Sequence, residues 1–402
     1  MVSKEQEPIA VTRFREYLRI KTVQPNPDYA SAKQWLTNYA AELQLQPWYI
    51  EPVAGKPFVV MTLAGSDQTL PSIVLYSHID VVPVFPEHWK HDPFDAHKEA
   101  NGDIYARGAQ DMKCVGIQYA EAIRQLRAAD ANFRGFLRNV HLLFGPDEEI
   151  GAFDGVRALL KHEQFAKLNV GFWLDEGLAS PTDTYQIYNG ERCVWWLKVT
   201  CNGSPGHGSL FLENTVGEKF RKIINRMLDF RAAEEKRWKE NKLGMGDVIS
   251  VNLTKVEGGV QVNVIPDTMT AYFDIRIPPS TDFEAFEAKI ARWCQESGSD
   301  TRLEWIQQNK IANTTDLSVN NPFWVAFEGA LKEMNVKYET EIFVGATDAR
   351  FLRQRGYQCL NFSPMINTPV LLHDHNEFLN ENVFLNGVEL YKKIVPKIAN
   401  VQ

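Results

Sequence analysis

The sequence predicts an α/β catalytic domain whose mostly parallel sheet is covered by helices on both faces, with an α+β domain inserted into it. Three observations predict this. The chain has 402 residues, more than one hydrophobic core usually organises. Short, near-continuous apolar runs alternate with helical periodicity in the first half and again near the end, as strands buried on both faces require. Between those stretches the texture changes to amphipathic strands and two long helices.

The elements follow in order. Val11, Phe14 and Leu18, then Leu36, Tyr39 and Leu43, recur at helical spacing and predict two amphipathic helices before any strand. The runs Phe58–Leu63, Ile73–Tyr76, Val140–Phe144 and Phe172–Leu174 predict strands, separated by helical patterns near 113–128 and 152–161. From about residue 190, WWLKV, SVNLTKV, TMTAYFDIR and TRLEWIQ read as strands, with helices after Thr215 and Phe283. Beyond 310 the alternation returns as an apolar-faced helix near 321–335, then KYETEIF, CLNFSP and a final helix from about 381. Residues 1–189 and 310–402 are thus expected to form the two segments of the catalytic domain, and residues 190–309 the insert. No internal repeat, low-complexity segment or flexible linker is visible.

Composition narrows the function classes. Hydrophobic residues make up 44% and charged residues 23%, which is ordinary globular usage and argues against disorder. Net charge is -8, from 43 basic and 51 acidic residues, with no Lys/Arg run able to track a phosphate backbone, so nucleic acid is not an expected partner. No stretch approaches the roughly 18 apolar residues that cross a bilayer, and membranes are not implied. The polar, then amphipathic start MVSKEQEPIAVTRFREYL reads as no secretory signal, so a cytoplasmic location is expected. Cys114, Cys193, Cys201, Cys294 and Cys359 are scattered without CxxC spacing, which fits reduced thiols.

Polar residues just past buried strands matter because ligands of such sheets gather beyond the strands' carboxyl ends. The run Ile73–Tyr76 leads into His78 and Asp80, which alternation puts on one side; a carboxylate there could orient the imidazole or act on a neighbouring group, or both residues could be a solvated strand end. Asp111 stands just before a predicted helix, where N-capping by itself explains it. Asp147, Glu148 and Glu149 follow the run Val140–Phe144, and their mutual repulsion calls for a balancing cation unless they are solvated surface acids. Asp175 and Glu176 repeat the pattern after Phe172–Leu174, and His373 and His375 follow another apolar stretch. Each piece is weak alone. Together, a sheet delivering His, Asp, Glu, Glu and His to one edge suits paired divalent ions, and the absence of thiolates favours a catalytic over a closed structural site. Adjacent Glu148 and Glu149 then divide the labour between proton transfer and metal binding. No G-x-S-x-G, Walker loop, H-E-x-x-H, or G-x-G-x-x-G after a strand is present, and Cys114 reads as a small buried thiol.

The ordered motifs SHIDVVP, YARGAQDMK, PDEE, LDEG, GSPGHGS, NVIP and LLHDHNE resemble those of the zinc-dependent aminoacylase and carboxypeptidase family of co-catalytic metallohydrolases (M20) over nearly the whole chain. HWKHDPF, ERCVWWLKVT and SVNLTKVEGG resemble its aminoacylase branch. The resemblance implies two zinc ions per subunit bridged by Asp111. One zinc is completed by His78 with Glu176 or Glu149, the other by His373 with the remaining glutamate. It implies Glu148 as general base and Asp80 as a supporting carboxylate. His207 would reach into the other subunit's site and hold the oxyanion, which makes the insert a dimerisation and lid domain and the protein a homodimer. Asn263, Arg276 and Arg350 are implied substrate contacts, the last by guanidinium–carboxylate geometry, although turn-forming and solvated-strand roles compete for the first two. Gly208 replaces a usual Ala, and Ile150-Gly151-Ala152-Phe153 lacks a usual double glycine, which bears on loop flexibility and removes no ligand. The expected reaction is hydrolysis of N-acyl-L-amino acids. A dipeptidase of the same family and a non-catalytic binding module on the same fold are the rivals.

Overall fold

The computed structural model describes residues 7–130, 133 and 135–402; the first six residues of the polar start lie outside them. The chain divides into two units, one of residues 1–189, 315–340 and 347–402, the other of 190–314 and 341–346.

The first unit is built on an eight-stranded sheet. Across it the strands run Pro47–Val53, Lys56–Leu63, Val140–Gly145, Ser72–His78, Val170–Asp175, Gln358–Phe362, Thr184–Glu191 and Lys337–Phe343. The four central strands, Val140–Gly145 through Gln358–Phe362, are mutually parallel. The flanks add antiparallel pairs, because Pro47–Val53 and Lys56–Leu63 are joined by a turn of two residues and can only fold back on each other. Alternation explains the continuous apolar runs: Ile73 and Leu75 face one cluster, Val74 and Tyr76 the other, and both faces are covered. The helices Ile9–Leu18, Tyr29–Glu42, Lys113–Ala129, Pro322–Glu333 and Glu381–Ala399 supply the larger cluster. Helix near 152–161 shrinks to Val156–Leu159, because Gly151 (φ 92°) and Ala152 (φ 57°) are left-handed and break the run.

The second unit has a four-stranded antiparallel sheet in the order Ser250–Gly258, Thr268–Ile277, Cys193–Asn202, Thr301–Gln308. Cys193, Trp195, Leu197, Val199 and Cys201 all point into its core, at the period of two that a half-buried strand demands. The helices Val216–Asn241 and Phe283–Ser297 close that face through Phe220, Ile223, Phe286 and Ile290. All five cysteines are buried, and none is in a disulfide.

Candidate metal centre

Parallel register sets out the site. His78, the last residue of its strand, pairs with Gly145, and Leu75 pairs with Leu174, so three strands end together at one edge of the sheet. Beyond Gly145 the chain turns through Asp147 (φ 63°) into a short 3-10 turn, Glu148–Ile150, and beyond Asp175 comes Glu176. Asp111 sits on the loop before helix Lys113–Ala129. The capping role is excluded: Met112 holds the N-cap position, with no side-chain cap, leaving the Asp111 carboxylate free for the site. His373 comes from the loop before Phe378, in a left-handed conformation (φ 60°).

These side chains converge. Asp111 Oδ1 lies 2.9 Å from His78 Nε2, and its Oδ2 lies 3.3 Å from His373 Nε2. Glu176 Oε1 is 3.5 Å from His78 Nε2, while Glu149 Oε2 is 3.2 Å from His373 Nε2. One aspartate thus stands between two His–Glu pairs, offering one oxygen to each. Of the two pairings left open by the sequence, the shortest contacts favour His78 with Glu176 and His373 with Glu149. Glu149 also has a donor atom within 4.8 Å of His78, as Glu148 and Glu176 do.

Hydrogen bonds fix the donors. His78 Nδ1 lies 2.8 Å from the Asp80 carbonyl oxygen, which can only accept, so Nδ1 donates there and turns Nε2 to the site; against the opposing effect of burial, the charges and hydrogen bonds of Glu176 and Asp111 raise this imidazole well above its usual range. It is the backbone of Asp80 that does this; its carboxylate, 3.8 Å from Nδ1, instead accepts from the backbone N–H of Glu148 (3.1 Å) and Glu149 (3.2 Å). Asp80 therefore orients both tandem glutamates. Gln24 Nε2 donates to the same carboxylate at 2.9 Å, and the Tyr29 hydroxyl donates to Asp147 Oδ1 at 2.6 Å while accepting from its N–H. Neither Gln24 nor Tyr29 was visible from motif spacing; they arrive from the polypeptide's first elements by folding alone.

Electrostatics show what the cluster is built to hold. Burial, then the charges of Asp348 and Glu176, push Glu148 well above the usual carboxylate range. Burial, then Asp111, does the same to Glu176 and pushes Glu149 up to about 7. His373 rises to about 10 through its hydrogen bonds with Asp111 and Glu149. Glu149 Oε1 is buried without a partner. Buried carboxylates at these spacings repel one another until a cation lies among them. Two imidazoles, three carboxylates and no thiolate form a donor set that fits divalent ions such as zinc.

Asp348, two residues before Arg350, is a further acid that no strand-end or motif pattern marks in the sequence. It is fully buried, accepts from the Tyr76 hydroxyl at 2.6 Å, and is pushed up to about 6, chiefly by burial. Arg350 is half-buried with its guanidinium 4.5 Å over the Phe351 ring, and its Nε is buried without a partner.

The remaining candidates belong to the second unit. His207 is exposed, with Nδ1 2.8 Å from Ser209 Oγ, and pairs across a two-residue bridge with Val264, beside Asn263, whose carbonyl accepts from Gly208 N–H at 2.8 Å. Arg276 is separate from them. Thr268 pairs with Asn202 near the His207 loop, whereas Arg276, eight residues along the same strand and so about 26 Å away, pairs with Val194 and grips Asp274 at 2.7 Å.

The sequence profile of peptidase family M20/M25/M40 matches residues 74–397. The chain belongs to this family. Aminoacylase-1 of Sus scrofa is 49% identical over 398 residues, covering 99% of this chain and 97% of that protein. Among solved M20 structures, the metallo-carboxypeptidase Sso-CP2 from Sulfolobus solfataricus superposes with a TM-score of 0.73 at 17% identity, covering 98% of this chain and 100% of its own. A Bacillus subtilis M20 protein described as a dinuclear metal-binding peptidase gives 0.67 at 16% identity, with 98% and 99% covered. The two structures share the M20 fold with this chain.

Proposed function

We propose that the chain is a zinc-dependent aminoacylase that hydrolyses N-acyl-L-amino acids to a carboxylate and a free L-amino acid. The observation that carries this reading is Asp111 standing between two His–Glu pairs, with Glu148 buried at the same sheet edge. The substrate class rests on the similarity to aminoacylase-1.

His78, Glu176 and Asp111 would hold one zinc ion, and His373, Glu149 and Asp111 the other. Bound zinc supplies Lewis acidity toward the amide carbonyl and makes water a nucleophile at neutral pH. Glu148, held by its backbone N–H on Asp80, takes the proton of the attacking water and delivers it to the nitrogen of the leaving amine. Its burial keeps that carboxyl basic enough for the task. Arg350 offers a guanidinium for the substrate carboxylate.

The functional unit in this reading is a homodimer in which His207 of the partner subunit stabilises the oxyanion. An apolar surface supports it: Phe211 and Val262 are fully exposed and Val260 nearly so, on the loops that flank His207 and Asn263. Five buried cysteines outside any disulfide suit the reducing cytoplasm. Among the described residues no helix is long and apolar enough to cross a membrane.

The test is hydrolysis of N-acetyl-L-methionine beside an unblocked dipeptide by the zinc-loaded chain, with and without chelator. Release of methionine from the acylated substrate alone, abolished by chelation, is expected. Cleavage of the dipeptide alone would replace this reading with a dipeptidase, and no cleavage of either would favour a binding module.

A further inference from the structure

We infer that Glu377 and Gln110 form a reciprocal latch that positions His373 against Asp111, and that this latch sets the affinity of the second metal position without setting that of the first. The inference rests on the binuclear reading above.

His373 needs such a device. It is largely exposed and, like Asn376 on the same loop, left-handed without being glycine (φ 60° and 56°), a conformation that persists only where surroundings impose it. His78, by contrast, is the end of a buried strand and is fully buried.

The surroundings are two side chains that each reach into the other's loop. Glu377, fully buried and four residues past His373, takes four donors on its two oxygens. Arg107 Nη1 (2.6 Å) and Gly108 N–H (3.1 Å) bind Oε2, while the N–H groups of Gln110 (2.6 Å) and Asp111 (3.2 Å) bind Oε1. Gln110, 1% exposed, returns the grip: its Nε2 donates to the carbonyls of Pro369 (3.0 Å) and Phe378 (2.9 Å), and its Oε1 accepts from Leu371 N–H at 3.1 Å. The two ends of the His373 loop are thereby tied to the residue preceding Asp111. Neither side chain touches a metal position, so both are positioning residues.

Only a carboxylate fits the Glu377 position. All four partners donate, so an amide of the same shape turns its NH2 against two donors and loses about half the bonds. Asp111 keeps its other anchor, the helix Lys113–Ala129 with its fully buried first turn, so loosening the latch frees the His373 loop more than it moves Asp111.

The experiment titrates zinc into the metal-free full-length chain by calorimetry, for wild type, Glu377→Gln, Gln110→Met and His373→Ala. Two equivalents are expected for wild type. Glu377→Gln should weaken one of them by roughly 10- to 100-fold, the usual effect of losing an outer partner, and leave the other within twofold. The weakened equivalent should be the one that His373→Ala abolishes. Gln110→Met, which keeps the side chain's bulk and removes three bonds, should act in the same direction and serves as the readout if Glu377→Gln does not fold. Equal weakening of both equivalents, or of neither, would overturn the latch while leaving the binuclear reading intact. Uptake of a single equivalent by the wild type would overturn both.

Discussion

Glu148 is where the proposed chemistry is most exposed to test at the level of a single residue. Its carboxyl is buried, faces Asp348 and Glu176 across the site, and hangs from a backbone N–H that Asp80 accepts. Glu148→Gln keeps volume and hydrogen-bonding shape but cannot take a proton. The expected outcome is a fall in kcat of roughly 10²- to 10⁴-fold, with zinc stoichiometry unchanged, read by steady-state kinetics beside metal analysis. Retained zinc with full activity would remove Glu148 from the base role. Asp80 shows why single residues needed the fold to be read. Alternation along the strand placed it beside His78, but only folding shows that its carbonyl serves the imidazole while its carboxylate serves the two glutamates. Asp111 is similar: as the residue before a helix it reads as a cap, and only the position of Met112 at the cap frees it.

At the level of elements, the strand Val140–Gly145 carries a testable pH dependence far from the site's ligands. His141 lies between Thr62 and Val74 on the neighbouring strands, with Nδ1 2.9 Å from Thr62 Oγ1, and burial lowers it to about 4. The unfolded chain takes up this proton below about 6.5, the folded one only below about 4. Stability from His141 is therefore present above pH 6.5 and is lost as pH falls toward 4, by up to about 3 kcal/mol at about 1.4 kcal/mol per unit. Urea unfolding of wild type and His141→Gln between pH 4 and 7 checks this. The difference between the two should shrink on acidification, and a constant difference would mean that the histidine titrates normally. The same strand shows which elements were legible. Its near-continuous apolar run, interrupted by His141, predicted a strand buried on both faces, whereas the antiparallel flank beside it depends on a hairpin that the period of hydrophobicity does not report.

For the whole molecule, the proposal makes dimerisation part of catalysis, and a mixing experiment addresses it. Glu148→Gln leaves a subunit able to lend His207, and His207→Ala leaves a subunit able to use it. Each variant alone should be strongly impaired. Refolded together in equal amounts they should recover about a quarter of wild-type activity, since half the dimers are mixed and each mixed dimer holds one intact site. Absence of recovery would mean that His207 acts within its own chain or not at all. His207 and Asn263 were singled out by motif and prove to be neighbours on one paired turn, while Arg276, singled out in the same way, belongs to the other end of its strand.

What the sequence determined by itself was the α/β class, a set of strands buried on both faces, and the residue types gathered at their ends. Apolar periodicity and strand-end chemistry are local properties, set by which face of a few consecutive residues avoids water. Only the tertiary structure brings Glu176 to 3.5 Å from His78 and Glu149 to 3.2 Å from His373, and turns one Asp111 oxygen to each histidine. Those relations join residues far apart in the chain through hydrogen bonds such as those of Glu377 and Gln24, and such bonds leave no periodic trace because their geometry exists only once the strands have aligned and both faces of the sheet are covered.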